Sequence, residues 1–573
     1  MASGFSRKML WLLLAVAGAV YFVALGNSGI WDANEAFYVE TPREMLEAND
    51  FVNPTFNYLP RFNKPVLSYW IVASFYRAFG VSVGVQRFAI ALGALVLIAC
   101  AFVLARSAIQ DPGSRIQDPG SRIQDPGSRI RDQRSGISDP AAGFWAAAGL
   151  AAAPRLVMFA RRIFIDIWIS AFLALTLTFF ALSEAHPERR RRHLILMYIS
   201  VGLGVLTKGP VAIALPALAI GLYLVVRGEL RRVTQMMLPL GIVIVAAIVV
   251  PWYAALYREH GWTYIQSFLI SENVERFTQG VGVRQHRGPW FYLPVVLSDS
   301  FPWSLLLFAA AAMAWKQRTR IETLLWCWIG AIVGFFSLSA GKQDLYIFPI
   351  VPAVAALGGL AIQRGLAGRE WTRAVTITLG TIGALLAIAG AAVLFLFETA
   401  GRTYALDSAA LVGGLALSGG VVALVLGLRG RPAASGLTLL AAIVAMNWAF
   451  VLRVLPEFER YKPVPAFSRT LHDRLAAGDV VAHYQVALPS MVYYLRRHVE
   501  QYFDEAPFVA AIQSGKRVFA VLSADDYAAL APRIGAGTCV IERRPTFEVK
   551  LRQVLKRQPL PELLLISNKC GEP

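Results

Sequence analysis

Between Gly29 and Trp70 the chain reads GIWDANEAFYVETPREMLEANDFVNPTFNYLPRFNKPVLSYW. Asp32, Glu35, Glu40, Arg43, Glu44, Glu47, Asp50, Arg61 and Lys64 are interleaved there with Trp, Tyr and Phe. Carboxylates and fixed cations in one short stretch are the groups that proton transfer and phosphate chemistry use. A bilayer-crossing segment cannot carry them, because each ionised group costs several kcal/mol in hydrocarbon. A plain connecting loop does not need so many aromatics. Charges within an aromatic belt mark a segment at the membrane–water interface, and we read it as the lip of an active site.

The rest of the chain must hold that lip at a membrane. Of 573 residues 56% are hydrophobic and only 16% charged, with mean hydropathy +0.52. Ordinary globular chains are about one-quarter charged, so this is a polytopic membrane protein. The net charge of +18 does not imply a nucleic-acid partner. The basic residues sit in short loops between apolar runs, the positive-inside pattern. The run Met9 to Leu25 follows Arg7 and Lys8. It is either a secretory signal cut near Ala24-Leu25-Gly26 or an uncleaved anchor, and the topology fits the anchor better.

Apolar runs of about 20 residues are expected near 9–26, 84–106, 141–160, 163–183, 194–208, 209–227, 234–255, 290–314, 322–340, 346–363, 374–397, 407–428 and 433–455. The expected fold is an all-α polytopic membrane domain of about thirteen spans over 1–455, followed by a small α/β domain over 456–573. Loops rich in Arg and Lys (Arg106 to Arg134, Arg189 to Arg192, Arg227 to Arg232, Lys316 to Arg320, Arg364 to Arg373, Arg429 with Arg431) share one side with the N-terminus, the cytoplasmic one. The other side receives the lip, Arg161-Arg162 with Asp166, Lys208, the loop 256–289, Gly341 to Asp344, and everything after Leu455. Every polar cluster with chemical character is therefore expected outside the cytoplasm.

Within the first outside loop, 28–80, Thr41-Pro42-Arg43-Glu44 has capping-box spacing with proline at the first helical position. A helix is expected from Pro42 to about Ala48, and a second from Asn63-Lys64-Pro65 to about Phe79. Asp32 and Glu35 share a face if the preceding turn is also helical. In the cytoplasmic loop 107–139, residues 109–129 read IQDPGSR three times, turn chemistry that we take as a disordered tandem duplication. After Leu455, β-rich runs at Arg517 to Leu522, Cys539 to Glu542 and Leu563 to Ile566 alternate with helical pattern. Cys100 and Cys327 lie in apolar spans. Cys539 and Cys570 could form a disulfide if their domain is outside the cytoplasm. No CxxC, HExxH or phosphate-loop motif occurs; Gly202-Leu203-Gly204 with Lys208-Gly209 lies inside an apolar span.

In order along the chain, Asn34-Glu35-Ala36-Phe37-Tyr38, Arg43-Glu44-Met45-Leu46, Phe62-Asn63-Lys64-Pro65 and Tyr69-Trp70 resemble the first outside loop of the lipid A 4-amino-4-deoxy-L-arabinose transferases. Asp166, Leu206-Thr207-Lys208-Gly209, Glu272, Arg276-Phe277, Gln285-His286-Arg287, Pro289, Phe291-Tyr292, Phe335-Phe336-Ser337, Gly341-Lys342 and Tyr346 continue the resemblance over roughly residues 8–360. The protein O-mannosyltransferases are relatives within the same GT-C class. The chain departs from many relatives at Asn34-Glu35 (Asp-Glu there, with Asp32 here two positions earlier), at Asn63 (Glu) and at Arg61 (Tyr).

The resemblance implies a GT-C glycosyltransferase with a polyprenyl-phosphate sugar donor and lipid A, another glycan or a protein as acceptor. It is expected in the bacterial inner membrane, as a monomer with its C-terminal domain in the periplasm. Cations must stabilise the leaving phosphate, and the candidates are Lys64, Lys208, His286, Arg287 and Lys342, with Tyr346 against the lipid phosphate. Asp32 and Glu35 are the first candidates for a general base, then Asp166. Asn34, Tyr38, Arg43, Arg61, Asn63 and Glu272 are expected to touch substrate. If the acceptor is itself a phosphate no base is needed, and Asp32 with Glu35 could hold a divalent cation, Mg, Mn or Zn, as the one cofactor. Snorkelling lysines, a Glu35 paired with Arg43 or Lys64, and a belt tyrosine at Tyr346 are the structural alternatives. The functional alternative is a transporter or flippase of a lipid-linked sugar. Transporters place charges at the midplane of two related halves. This chain shows no such repeat, and its charges gather at one face.

Overall fold

The computed structural model describes residues 7–32, 35–110, 141–162, 164–279, 287–316, 318–399, 406–535, 537–547, 556 and 558–570. Most of the IQDPGSR loop, Asn34 and His286 lie outside them. Each of the thirteen expected apolar stretches contains helix. Among the described residues eight helices are long and apolar enough to cross a membrane, nine if one bent pair counts as a span. The expected spans that fall short do so for visible reasons. Arg7–Ala19 has only 13 residues, and Arg190–Lys208 opens on three arginines. The stretch 141–160 breaks between Ala152 and Pro154, where proline can start a helix but not continue one. The stretch 290–314 is two helical pieces bent by 120° between Asp299 and Trp303. Helices shielded by other helices need not present a full apolar length to lipid.

The basic loops meet. Glu184 accepts from Arg232 at 2.6 Å and lies 3.3 Å from Arg190, while Glu229 joins Arg232 and Arg320, each at 3.0 Å. Helix 320–338 starts in a true capping box, with Thr319 and Glu322 exchanging hydrogen bonds, and Glu322 pairs with Arg364.

On the opposite face the lip is built from helices Ala36–Ala48 and Leu67–Phe79. Between them lies a two-residue hairpin, β1 (Thr55–Phe56) and β2 (Leu59–Pro60). Asn57 and Tyr58 both take positive φ at its turn, the pattern whose twist matches hairpin strands. The first helix starts about two turns earlier than its capping signal predicts. Pro42 is inside it, and Thr41 Oγ1 caps nothing. Its charges serve the loop itself. Arg43 donates to both oxygens of Glu40 (2.8 and 2.6 Å), to Glu47 (2.6 Å) and to Tyr58 Oη (3.0 Å).

Residues 463–570 form the expected α/β unit. Its five-stranded mixed sheet has the order β4 (Glu500–Tyr502), β3 (Val480–Tyr484), β5 (Val518–Ser523), β7 (Glu562–Ser567), β6 (Cys539–Pro545). The β4–β3–β5 pairs are parallel and the β5–β7–β6 pairs antiparallel. Phe519 and Val521 pack under Val464, Phe467 and Met491 on one face. Val518, Ala520 and Leu522 pack under Phe508, Ile512 and Leu530 on the other. Both faces are covered, which is why these strands read as continuous apolar runs. Cys539 and Cys570 are joined, closing a separation of 31 residues. Replacing both by serine is expected to destabilise this unit by about 3–4 kcal/mol through loop entropy. A urea titration followed by protease resistance of the unit checks this; an unchanged midpoint contradicts it.

This unit and the turn leading into it, Glu459 to Lys462, grip the lip. Glu459 accepts from Gly29 N–H at 2.7 Å, Lys462 Nζ donates to Gly29 O at 2.7 Å, and Tyr494 Oη accepts from Ile30 N–H at 2.9 Å. Asn57 exchanges two 2.9 Å hydrogen bonds with Val499.

Candidate active site

Helix Arg190–Lys208 ends on Lys208, and the chain turns at Gly209 with φ +87°. A Cβ at Gly209 would come within 2.6 Å of the Phe268 ring, so only glycine fits. The turn sends the Lys208 side chain to Asp166, in the first turn of helix Phe164–Ala185, at 2.5 Å. Each charge lies at the helix end whose dipole favours it. Lys64, just before helix Leu67–Phe79, reaches Glu272 at 2.7 Å. Glu272 belongs to the π-helical stretch Gln266–Glu275, a deformation that recurs at functional sites.

These two ion pairs line a cavity of about 630 Å³. Tyr38, Arg61, Asn63, Gln343 and Tyr346 complete its polar end. The Arg61 guanidinium stacks 3.9 Å from the Phe37 ring centre and donates to Tyr69 Oη at 3.3 Å. Burial pushes the Tyr38 phenol well above its usual value, with the neighbouring Tyr69 adding to the shift. Lys208 Nζ lies 5.8 Å over the Tyr346 ring, which packs on Phe336 at 4.9 Å. The other end is apolar: Ile165, Ile169 and Leu173 make one stripe of a spanning helix, facing Val211, Leu215 and Phe335. A lipid phosphate with its chain requires this combination of a wet cationic end and a greasy wall.

Asp166, Lys64, Lys208, Tyr346, Tyr38, Arg61, Asn63 and Glu272 are thus brought together as the sequence reading expects. Others are not. Glu35, a first choice as base, is fully buried. It takes Arg87 Nε at 2.6 Å, Arg87 Nη2 at 2.9 Å and Trp31 N–H at 2.8 Å. Its partner is neither Arg43 nor Lys64. Asp32 accepts from Ser490 N–H at 2.8 Å. Neither lines the cavity, and with both Glu35 oxygens engaged the pair does not fit a divalent cation. No cluster of three or more His, Cys, Asp or Glu able to hold a metal occurs among the described residues. Arg43 is spent on Glu40 and Glu47, Lys342 donates to Ser339 O at 2.6 Å, and Arg287 stacks 4.3 Å from the Phe291 ring centre. None of these three lines the cavity. Residues 34 and 286 are outside the described set.

Arg87 is the residue that sequence reasoning missed. Besides Glu35 it donates to the carbonyls of Leu25, Ser28 and Gly29 and to Ser28 Oγ. Its signal was there: a lone arginine near the start of an apolar helix demands partners. Arg161 likewise donates to the carbonyls of Val20, Val23 and Ala24.

Burial raises the Asp32 carboxyl from its usual 3.8 to about 6, opposed by hydrogen bonds from Ser490 and the charge of Lys462, and helped by Glu35. The folded state therefore holds this proton more tightly than the unfolded state. Stability is expected to fall as pH rises from about 4 to about 6, and to level off above. Thermal midpoints across that range should flatten in Asp32→Asn, and an identical slope in both proteins rejects the assignment.

A family model described as dolichyl-phosphate-mannose-protein mannosyltransferase matches residues 137–254. The chain is 30% identical, over 63% of its length, to the undecaprenyl phosphate-alpha-4-amino-4-deoxy-L-arabinose arabinosyl transferase of Pseudomonas aeruginosa (strain UCBPP-PA14). It is 29% identical to the transferase of the same name in Pseudomonas paraeruginosa (strain DSM 24068 / PA7). The chain spans 61% of the length of each of these relatives. ArnT from Cupriavidus metallidurans, in a crystal structure bound to undecaprenyl phosphate, matches with TM-score 0.76 and 23% identity over 99% of both chains. The chain is a multi-pass membrane protein with the fold of ArnT and a sequence that resembles the aminoarabinose transferases.

Proposed function

We propose that the protein is an inverting glycosyltransferase of the bacterial inner membrane, moving a sugar from polyprenyl (undecaprenyl) phosphate to lipid A or another acceptor outside the cytoplasm. The observation that carries this reading is the cavity itself. It joins Lys64, Lys208, Arg61 and Tyr346 to an apolar wall on spanning helices. The names of the relatives and of the ArnT complex support the donor lipid.

In this reading the donor phosphate lies by Lys64 and Lys208, and its isoprenoid chain lies along Ile165, Ile169 and Leu173. The acceptor oxygen attacks the anomeric carbon from the side opposite the phosphate. The new C–O bond forms as the old one breaks, and the bonding electrons leave on the polyprenyl phosphate. The lysines stabilise that growing negative charge. With Asp32 and Glu35 turned away, Asp166 is the carboxylate placed to take the proton of an acceptor hydroxyl. A phosphate acceptor needs no base. The family match to a protein mannosyltransferase supports a second reading for the acceptor, a protein hydroxyl.

The test is transfer from synthetic undecaprenyl-phosphate sugars by purified full-length protein, over a panel of lipid A, glycan and peptide acceptors. Turnover in wild type, lost in Lys64→Ala, supports the enzyme. Movement of the donor across liposomes without any transfer overturns it in favour of the flippase.

A further inference from the structure

We infer that the donor's sugar is uncharged rather than an amino sugar, an inference that rests on the polyprenyl-phosphate donor proposed above. The described cavity lining holds three cations, Arg61, Lys64 and Lys208, against two carboxylates, Asp166 and Glu272, a net charge of +1. A sugar joined to a polyprenyl chain through a phosphodiester carries one negative charge, so a neutral sugar balances the cavity. An amino sugar makes the donor a zwitterion and leaves the +1 uncompensated.

The arrangement of the charges sharpens the count. Each carboxylate already faces a lysine, Asp166 at 2.5 Å from Lys208 and Glu272 at 2.7 Å from Lys64. A sugar ammonium would have to compete with one of these lysines for its carboxylate. The remaining cation, Arg61, has no carboxylate partner among the described residues. Phe37 and Tyr69 hold it in place. Asn63, beside Lys64 in the lining, is neutral and offers an amide suited to a sugar hydroxyl.

The experiment is competition binding to the full-length protein in nanodiscs, with synthetic donors that differ only at C4 of the sugar. Undecaprenyl phosphate-linked L-arabinose (4-hydroxyl) is compared with its 4-amino-4-deoxy analogue, and sugar-free undecaprenyl phosphate is a separate arm. At pH 7 the hydroxyl donor should bind roughly ten- to a hundredfold more tightly than the amino donor. Above the pKa of the amine the two should converge. In Arg61→Glu the order should reverse, while sugar-free lipid still binds. Equal or tighter binding of the amino donor by wild type at pH 7 overturns the inference, as does a preference that ignores pH or the Arg61 substitution. Failure of wild type to bind sugar-free undecaprenyl phosphate removes the donor reading itself, a distinct result.

Discussion

Lys208→Ala is expected to lower sugar transfer by roughly 10²–10³-fold in kcat, the usual effect of losing one preorganised group at a developing oxyanion. The Lys208 ammonium stands on a helix end that Gly209 and Phe268 allow in one geometry only. It lies beside Asp166 and over the Tyr346 ring, where the leaving phosphate would gather charge. The fold should survive, because the side chain is partly exposed and no core residue is removed. Binding of sugar-free undecaprenyl phosphate should weaken less than kcat falls, since the lysine matters most as the phosphate becomes a better-charged leaving group. Asp166→Asn divides the acceptor classes. With a hydroxyl acceptor kcat falls and donor binding is kept; with a phosphate acceptor kcat stays. A Lys208→Ala protein that transfers at the wild-type rate would remove this cavity as the reaction site.

The second large effect concerns stability. Arg87→Met is expected to cost about 3–5 kcal/mol, the range for breaking a buried ion pair on one side. The loss strands Glu35 without its main partner and three backbone carbonyls without their donor. Glu35→Gln should cost less, since an amide oxygen still accepts from Arg87. Its kcat per folded molecule should stay at the wild-type level. The pair of measurements, thermal midpoint in detergent and turnover normalised to folded protein, separates a clamp from a catalyst. Normal folding with lost turnover in Glu35→Gln would return Glu35 to the reaction.

The Glu35 result also shows where sequence reasoning stops. Asp32 and Glu35 sit at helical spacing in the most charged stretch of the chain, and local pattern alone makes them partners. Their real neighbours are Ser490, 458 positions away, and Arg87, 52 positions away. Lys64 and Glu272 are 208 apart. No periodicity connects such residues; the packing of helices does. The helix start in the lip failed for a related reason. The capping box at Thr41 is a local preference worth about 1 kcal/mol. It loses to the tertiary burial of Ala36, Tyr38 and Val39 in the extended helix.

What the sequence determined by itself is what hydrophobicity and local backbone chemistry dictate. That includes the membrane class, the positions of the helical stretches, the grouping of basic loops and three of the five strands of the C-terminal unit. Only the tertiary structure decided which charges line the cavity and which hold the lip together. Arg43 and Glu35 spend their charge on holding the lip, whereas Lys64, Lys208, Asp166 and Arg61 face an open cavity. The physical reason is that an ion acts only where its field reaches, and Lys64, Lys208, Asp166 and Arg61 line the cavity although the first three are also ion-paired. In a low-dielectric interior that is settled by which side chain folding places a few ångströms away.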